Sequence, residues 1–375
     1  MKCNVYKRCG SCQYINQNYK EQLESKYKEY QSLYKDFKCK VNPVVGMQHP
    51  YYYRNKVIVA FNNQYEYGLY EENNHKIVPT QDCLLHDEEI NNVLKTIGKL
   101  LKKYRVSIYD PKKNRGFLRH VLIRRAVMTK QILVCIVATD QMFKGSKNFS
   151  NELIKAVPEV KSIVLNVNKR QTSIVLSKEE KVLFGKGFIV DELCGLTFKI
   201  SAQSFYQINH EQCENLYNKV VELVLKSKHE TVLDTYCGIG TIGMIVAKEA
   251  KNVIGVELNK EAYKDAMNNA RMNKIENITF VNADATEYMK KEAAANKKVD
   301  CIIMDPPRSG STKDFINAVK VLNPQSVVYV SCDPHTQVRD LHDFEKIGYK
   351  FNEVYLYDMF PHTKHVETVC LLSRK

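Results

Sequence analysis

From about residue 210 onward, short apolar runs rich in β-branched residues recur between stretches of helical period: TVLD, NVIGVEL, NITFVNAD, VDCIIMD and SVVYVSC, then NEVYLYD and VETVCLL in close succession. Strands this short and apolar, alternating with helices, predict a doubly wound parallel sheet. The last two runs stand close enough together to predict a hairpin. Before residue 200 the pattern differs. QNYKEQLESKYKEYQSLY has helix-forming composition over about 16–34, and KVIVAF, HVLIRRAVM, QILVCIVAT and SIVLNVN predict the strands of an α+β region. No repeat, low-complexity tract or Pro/Gly/Ser-rich linker intervenes. The change of pattern places the boundary near residue 200, giving domains 1–200 and 201–375.

Composition adds a location and a partner. The chain has 375 residues, 44% of them hydrophobic, enough for at least one full core. No run of 18 apolar residues occurs, and the opening MKCNVYKRCGSC lacks the apolar stretch of a secretory signal. The expected address is therefore the cytoplasm, with no membrane association. Twelve cysteines in a reducing compartment point to metal, cluster or catalytic roles ahead of disulfides. The formal charge of +14 is lopsided: 34 Lys and Arg face 19 Asp and Glu up to residue 200, and 22 face 23 beyond it. A one-sided positive field attracts polyanions, so a nucleic acid is the expected partner. No obligate protein partner is indicated.

The chemistry is concentrated where the predicted strands end. After TVLD comes Asp234-Thr-Tyr-Cys-Gly238-Ile-Gly240-Thr-Ile-Gly243, a turn that lets a ligand approach a helix N-terminus. A dinucleotide-binding protein has a similar loop. The next strand ends in Glu257, whose carboxylate suits two ribose hydroxyls; Asp284 follows the third strand and suits an adenine amino group; Asp305-Pro-Pro follows the fourth. This series resembles class I S-adenosylmethionine-dependent methyltransferases, whose Rossmann-like sheet is the fold expected of the C-terminal half. Any one of these acids could instead cap a helix or turn.

The fifth strand ends in Ser331-Cys332-Asp333-Pro334, which puts Cys332 on the same carboxyl edge, with the Asp-Pro turning the chain out of the strand. Glu367 would begin the last strand at that edge if the hairpin forms. A thiol, a methyl donor and a carboxylate fit one reaction well. Uracil C5 is a poor nucleophile until a thiolate adds to C6, and its proton must then leave to a positioned base.

SAQSFYQIN, DTYCGIGTIG, MDPPRSG, VSCDPHTQVRD and DMFPHTKHVE are together similar to the successive motifs of the bacterial RNA uracil-5-methyltransferases, which modify tRNA or 23S ribosomal RNA. The resemblance implies Cys332 as nucleophile, Glu367 as base, and Gln207, Tyr236, Glu257 and Asp305 as donor-binding residues; Gly238 and Asp284 complete the expected donor site. It extends to the shorter 23S rRNA members, since many relatives carry a small N-terminal β-barrel and this sequence starts almost directly at Cys3.

Cys3, Cys9 and Cys12 form a C-x5-C-x2-C array, with Cys83 as a fourth candidate ligand. Four thiolates suit a [4Fe-4S] cluster or a zinc ion, and the spacing does not discriminate. The ribosomal-RNA branch of the family carries an iron-sulfur cluster on a similar array, which favours the cluster. RNA contact is expected from the basic half: Arg54 and Lys56 beside three tyrosines, and Arg119 and His120 within KKNRGFLRHVLIRR. Two other readings stay open. One is a tRNA rather than an rRNA substrate. The other is a non-catalytic RNA chaperone or ribosome-assembly factor, against which intact Cys332 and Glu367 argue.

Overall fold

The computed structural model describes residues 2–71, 74, 76–227 and 229–374. The chain forms two compact units, one of residues 1–16, 51–192 and 198–210, the other of 17–50, 193–197 and 211–375. Among the described residues no helix is long and apolar enough to cross a membrane.

The second unit is built on five parallel strands in the spatial order Ser326–Ser331, Cys301–Met304, Thr231–Asp234, Asn252–Glu257, Ile278–Asn282. Cys301–Met304 and Ser326–Ser331 are buried at every position, as covering helices on both faces require, whereas the edge strand Ile278–Asn282 is only partly covered. Chain direction across the sheet reverses between Thr231–Asp234 and Cys301–Met304, and a crevice for a ligand opens at such a switch point. The hairpin of Glu353–Tyr357 and Glu367–Arg374 joins the far side, with Glu367–Arg374 antiparallel to Ser326–Ser331 and Ser331 opposite Thr368. Lys40–Val45 then pairs in parallel with Glu353–Tyr357.

The helix Tyr19–Leu33 precedes that edge strand. Asn18 caps it by accepting from the Lys20 N–H at 2.9 Å. Its Tyr30, with Tyr34 and Phe37 just beyond its end, joins the core formed by Val327, Tyr329, Leu356 and Leu372. Its other inward residues are polar, and Gln22 and Lys26 are buried.

The first unit contains a mixed seven-stranded sheet in the order Ile77–Pro79, Tyr67–Tyr70, Lys56–Phe61, Leu118–Arg125, Ile132–Ala138, Val160–Val167, Glu180–Gly185. The central Ile132–Ala138 is buried at every position. Helices Glu88–Lys103 and Ser146–Ala156 contribute Ile90, Leu94, Ile97, Phe149 and Leu153 to the core beside it.

Candidate active site

Five chemically distinctive residues of the second unit stand at the carboxyl edge of its sheet. Asp234 and Glu257 end their strands, Asp305 and Cys332 lie one residue past theirs, and Glu367 starts the returning strand opposite Tyr357. The loop after Asp234 is shaped by its own hydrogen bonds. The buried Asp234 accepts from the Gly243 N–H at 2.9 Å, and Glu257 accepts from the Gly238 N–H at 2.9 Å and the Asn259 N–H at 2.6 Å. Gly238 has φ +56, and a Cβ there would meet no atom within 4 Å. The turn is thus a cradle open toward space that a ligand can fill. Tyr236 forms one wall, its ring stacked on Phe315 at 5.7 Å between centroids. Leu258 is 70% exposed beside Glu257, an apolar side chain that no core covers. Asp284 is exposed and caps the helix Ala285–Ala294, accepting from the Thr286 and Glu287 N–H groups.

Burial sets the proton affinities of the remaining groups. Glu367 is only 4% exposed. Desolvation, assisted by the nearby Asp305 carboxylate, pushes it up to about 8. Asp305 is itself pushed up by burial to about 7. The Cys332 thiol is raised to about 11, first by burial and then by the Glu367 and Asp305 charges, while the Arg308 guanidinium works in the opposite direction. These mutual effects mean that Cys332, Glu367 and Asp305 share one electrostatic environment.

A buried amide ties the strand that ends before Cys332 to the strand that starts at Glu367. Gln337 Oε1 accepts from Thr368 Oγ1 at 2.8 Å and from Tyr34 OH at 2.5 Å, and its Nε2 donates to the Tyr329 carbonyl at 3.2 Å. Thr368 Oγ1 also lies 3.4 Å from the Ser331 carbonyl. The residues next to Glu367 and Cys332 are therefore tied to each other. Cys332 opens into a cleft of about 220 Å³ lined also by Tyr30, Arg308, His335, Lys364 and His365.

A sequence model of the tRNA (uracil-5-)-methyltransferase family matches residues 18–375. The chain belongs to this family. Among its relatives, an RNA methyltransferase of Clostridium tetani is 37% identical over 99% of this chain and 82% of its own length. One of Staphylococcus aureus is 40% identical, covering 100% and 84%. The crystal structure of the Pyrococcus abyssi tRNA (uracil-54, C5)-methyltransferase in complex with S-adenosyl-L-homocysteine superimposes with a TM-score of 0.81 at 28% identity, covering 95% of this chain and 83% of that one. The expected methyltransferase fold and family are thereby established, and the protein is an S-adenosylmethionine-dependent RNA uracil-5-methyltransferase.

The remaining sequence-derived candidates of this methyltransferase lie in its first unit. Gln207 is buried, and its carbonyl accepts from Asn55 Nδ2 at 3.1 Å. Cys3, Cys9, Cys12 and Cys83 are half-buried. Cys12 is pushed up to about 12 by burial and, to a lesser degree, by Cys83, Cys9 and Cys3, with Arg54 opposing. The four thiols therefore gather in one neighbourhood. Among the described residues, however, no group of three or more Cys, His, Asp or Glu side chains is arranged to hold a metal ion.

The basic candidates in that unit are at least partly withdrawn from solvent. Arg54 lies beside the cysteines, with its guanidinium 5.9 Å from the Tyr53 ring. Lys56 is half-buried and pushed down to about 8 by desolvation and Arg124. Arg119 is buried and donates to the carbonyls of Asn168 and Arg170. His120 stands 3.3 Å from Tyr70 OH and is pushed down to about 4 by burial, which leaves it uncharged at neutral pH. The cations at the Cys332 cleft, Arg308 and Lys364, were not singled out for RNA contact from the sequence. Their signal was present, since both sit within the motifs that also carry Asp305 and Glu367.

Proposed function

We propose that the protein methylates C5 of a uridine in 23S ribosomal RNA, with Cys332 as nucleophile and Glu367 as base. The observation that carries this reading is the single environment shared by Cys332, Glu367 and Asp305 at one sheet edge. The Gly238 turn, Tyr236, Leu258, Glu257 and the second carboxylate oxygen of Asp284 suit an adenosine group, and Asp305 borders the reacting end. S-adenosylmethionine supplies the electrophilic methyl group. The Cys332 thiol, held protonated by burial and the neighbouring carboxylates, must first give its proton to solvent, a loss that Arg308 favours; the thiolate then forms an S–C6 bond that makes C5 nucleophilic. After C5 is methylated, Glu367 accepts the C5 proton and the S–C6 bond breaks, returning the thiolate. One proton is released per cycle. A carboxyl with a pKa near 8 is matched to removing a proton at neutral pH.

The cleft at Cys332 suits one extruded base. Arg308 and Lys364 at its wall suit phosphate contacts, and Gln207 is kept as a donor-binding residue on the family resemblance. The rRNA target is favoured by the four-cysteine array, which the ribosomal branch of the family shares. A tRNA target is supported by the family's description and by the activity named for the Pyrococcus abyssi enzyme. Cys3, Cys9, Cys12 and Cys83 suit a [4Fe-4S] cluster by donor chemistry, with zinc as the alternative. No catalytic step depends on that group. A cytoplasmic location follows from the RNA substrate.

RNA carrying 5-fluorouridine tests the mechanism, because fluorine at C5 cannot leave as a proton. A covalent, methylated adduct is expected, and it should be absent in Cys332→Ala. An adduct that persists in that variant, or none with the correct RNA, refutes the assignment. Methylation of 23S rRNA and tRNA transcripts in parallel, with site mapping in a deletion strain, decides the target.

A further inference from the structure

Glu367 is held in place by a loop, and that loop is gripped by a helix distant in sequence. Residues 358–366 connect the two strands of the C-terminal hairpin, ending directly at Glu367. Lys26, only 1% exposed, reaches this loop from the helix Tyr19–Leu33. Its Nζ donates to Asp358 Oδ1 at 2.6 Å and to the His365 carbonyl at 3.2 Å. One ammonium thus spans the loop from its first residue to the position two before Glu367. Neighbours on the same helix reinforce the grip. Tyr19 OH donates to Asp358 Oδ2 at 2.7 Å, Tyr30 OH donates to the Lys364 carbonyl at 3.2 Å, and Gln22 Nε2 lies 3.1 Å from His362 Nδ1. His362 sits at φ +68, in the left-handed region that few residues other than glycine adopt.

A buried ion pair is weak evidence for stability, because desolvation offsets most of its attraction. Here its geometry is specific. Both partners are fully buried, and the lysine bonds to a main-chain carbonyl as well as to its counter-ion. We propose that Lys26 is a positioning residue for proton removal: by tying Asp358 to the His365 carbonyl it fixes where Glu367 stands relative to the nucleobase bonded to Cys332. This rests on Glu367 being the base.

Two rates separate positioning from general support: adduct formation on 5-fluorouridine RNA, which precedes proton removal, and tritium release from [5-³H]uridine RNA, which reports it. In Lys26→Met, adduct formation should stay within about threefold while tritium release falls about 10- to 100-fold, as expected for a displaced reacting group. The C5 deuterium isotope effect on turnover should rise, and Lys26→Arg should recover part of the loss. Equal losses in both rates, or no loss, overturn the proposal. Should Lys26→Met fail to fold, Lys26→Met/Asp358→Asn leaves no unpaired buried carboxylate and is judged by the same two rates. Glu367→Gln measured alongside separates the two layers. Normal tritium release there removes the base itself and the clasp with it, whereas a stalled Glu367→Gln beside an unaffected Lys26→Met removes the clasp alone.

Discussion

Replacing Glu367 with Gln should stabilise the folded protein, and by an amount that grows with pH. The carboxyl titrates at 4.5 when unperturbed and at about 8 in the fold, because burial beside Asp305 disfavours its charge. Below pH 4.5 both folded and unfolded chains hold the proton, and the group costs nothing. Above it the unfolded chain releases a proton that the folded chain keeps, so stability falls by about 1.4 kcal/mol per pH unit, a penalty of about 3 kcal/mol near pH 7 and about 5 kcal/mol above pH 8. The neutral, nearly isosteric amide carries no such penalty. Urea unfolding of both proteins, followed by circular dichroism, should show a difference under about 1 kcal/mol at pH 5 and about 3 kcal/mol at pH 7. A difference that is independent of pH, or that shrinks as pH rises, refutes the argument. Activity should run the other way. Wild-type turnover should climb from pH 6 to about 8 as the carboxylate forms, while Glu367→Gln stalls after addition.

The donor cradle and the strand tie make further predictions. Gly238→Val places a branched side chain in the open turn and strains a positive φ, so S-adenosylhomocysteine should bind at least about tenfold more weakly by calorimetry, with little change in melting temperature. Gln337→Leu removes the amide shared by Tyr34 OH, Thr368 Oγ1 and the Tyr329 carbonyl, a loss of about 2–4 kcal/mol in urea unfolding. Protein purified without oxygen should contain about four irons per chain and lose them in Cys83→Ser, with S-adenosylhomocysteine binding intact; one zinc per chain would identify the alternative.

Much of the second unit was legible because its strands are short apolar runs that end in polar residues. TVLD, NVIGVEL and SVVYVSC form strands within a residue of their expected bounds. The hairpin was visible in the seven residues between NEVYLYD and VETVCLL, too few for a crossover. The role of the Tyr19–Leu33 helix was not visible. Its inward face carries Tyr19, Gln22, Lys26 and Tyr30, so the residues that bury it are polar or amphipathic and the stretch reads as a solvated helix. For the same reason the sequence could not show that residues 17–50 belong to the second compact unit. The surroundings of the basic residues were not legible either. Charge counts locate cations but not their partners, and Arg119 spends its guanidinium on two carbonyls while burial neutralises His120.

The pairing of Lys40–Val45 with Glu353–Tyr357 has a consequence for how the protein is made. A ribosome delivers the chain from the amino end, and this edge strand must wait for a partner synthesised more than 300 residues later. Until then the helix before it has no loop to grip, and the Glu367 strand does not yet exist. Parallel pairings of such long sequence separation form late, because the entropy of closing the intervening chain must be overcome first. A nascent chain of this protein can form the turn after Asp234 and the strand before Cys332 well before it can place Glu367. A chain cut before Glu367 leaves Ser326–Ser331 without its antiparallel partner, an open sheet edge next to Cys332.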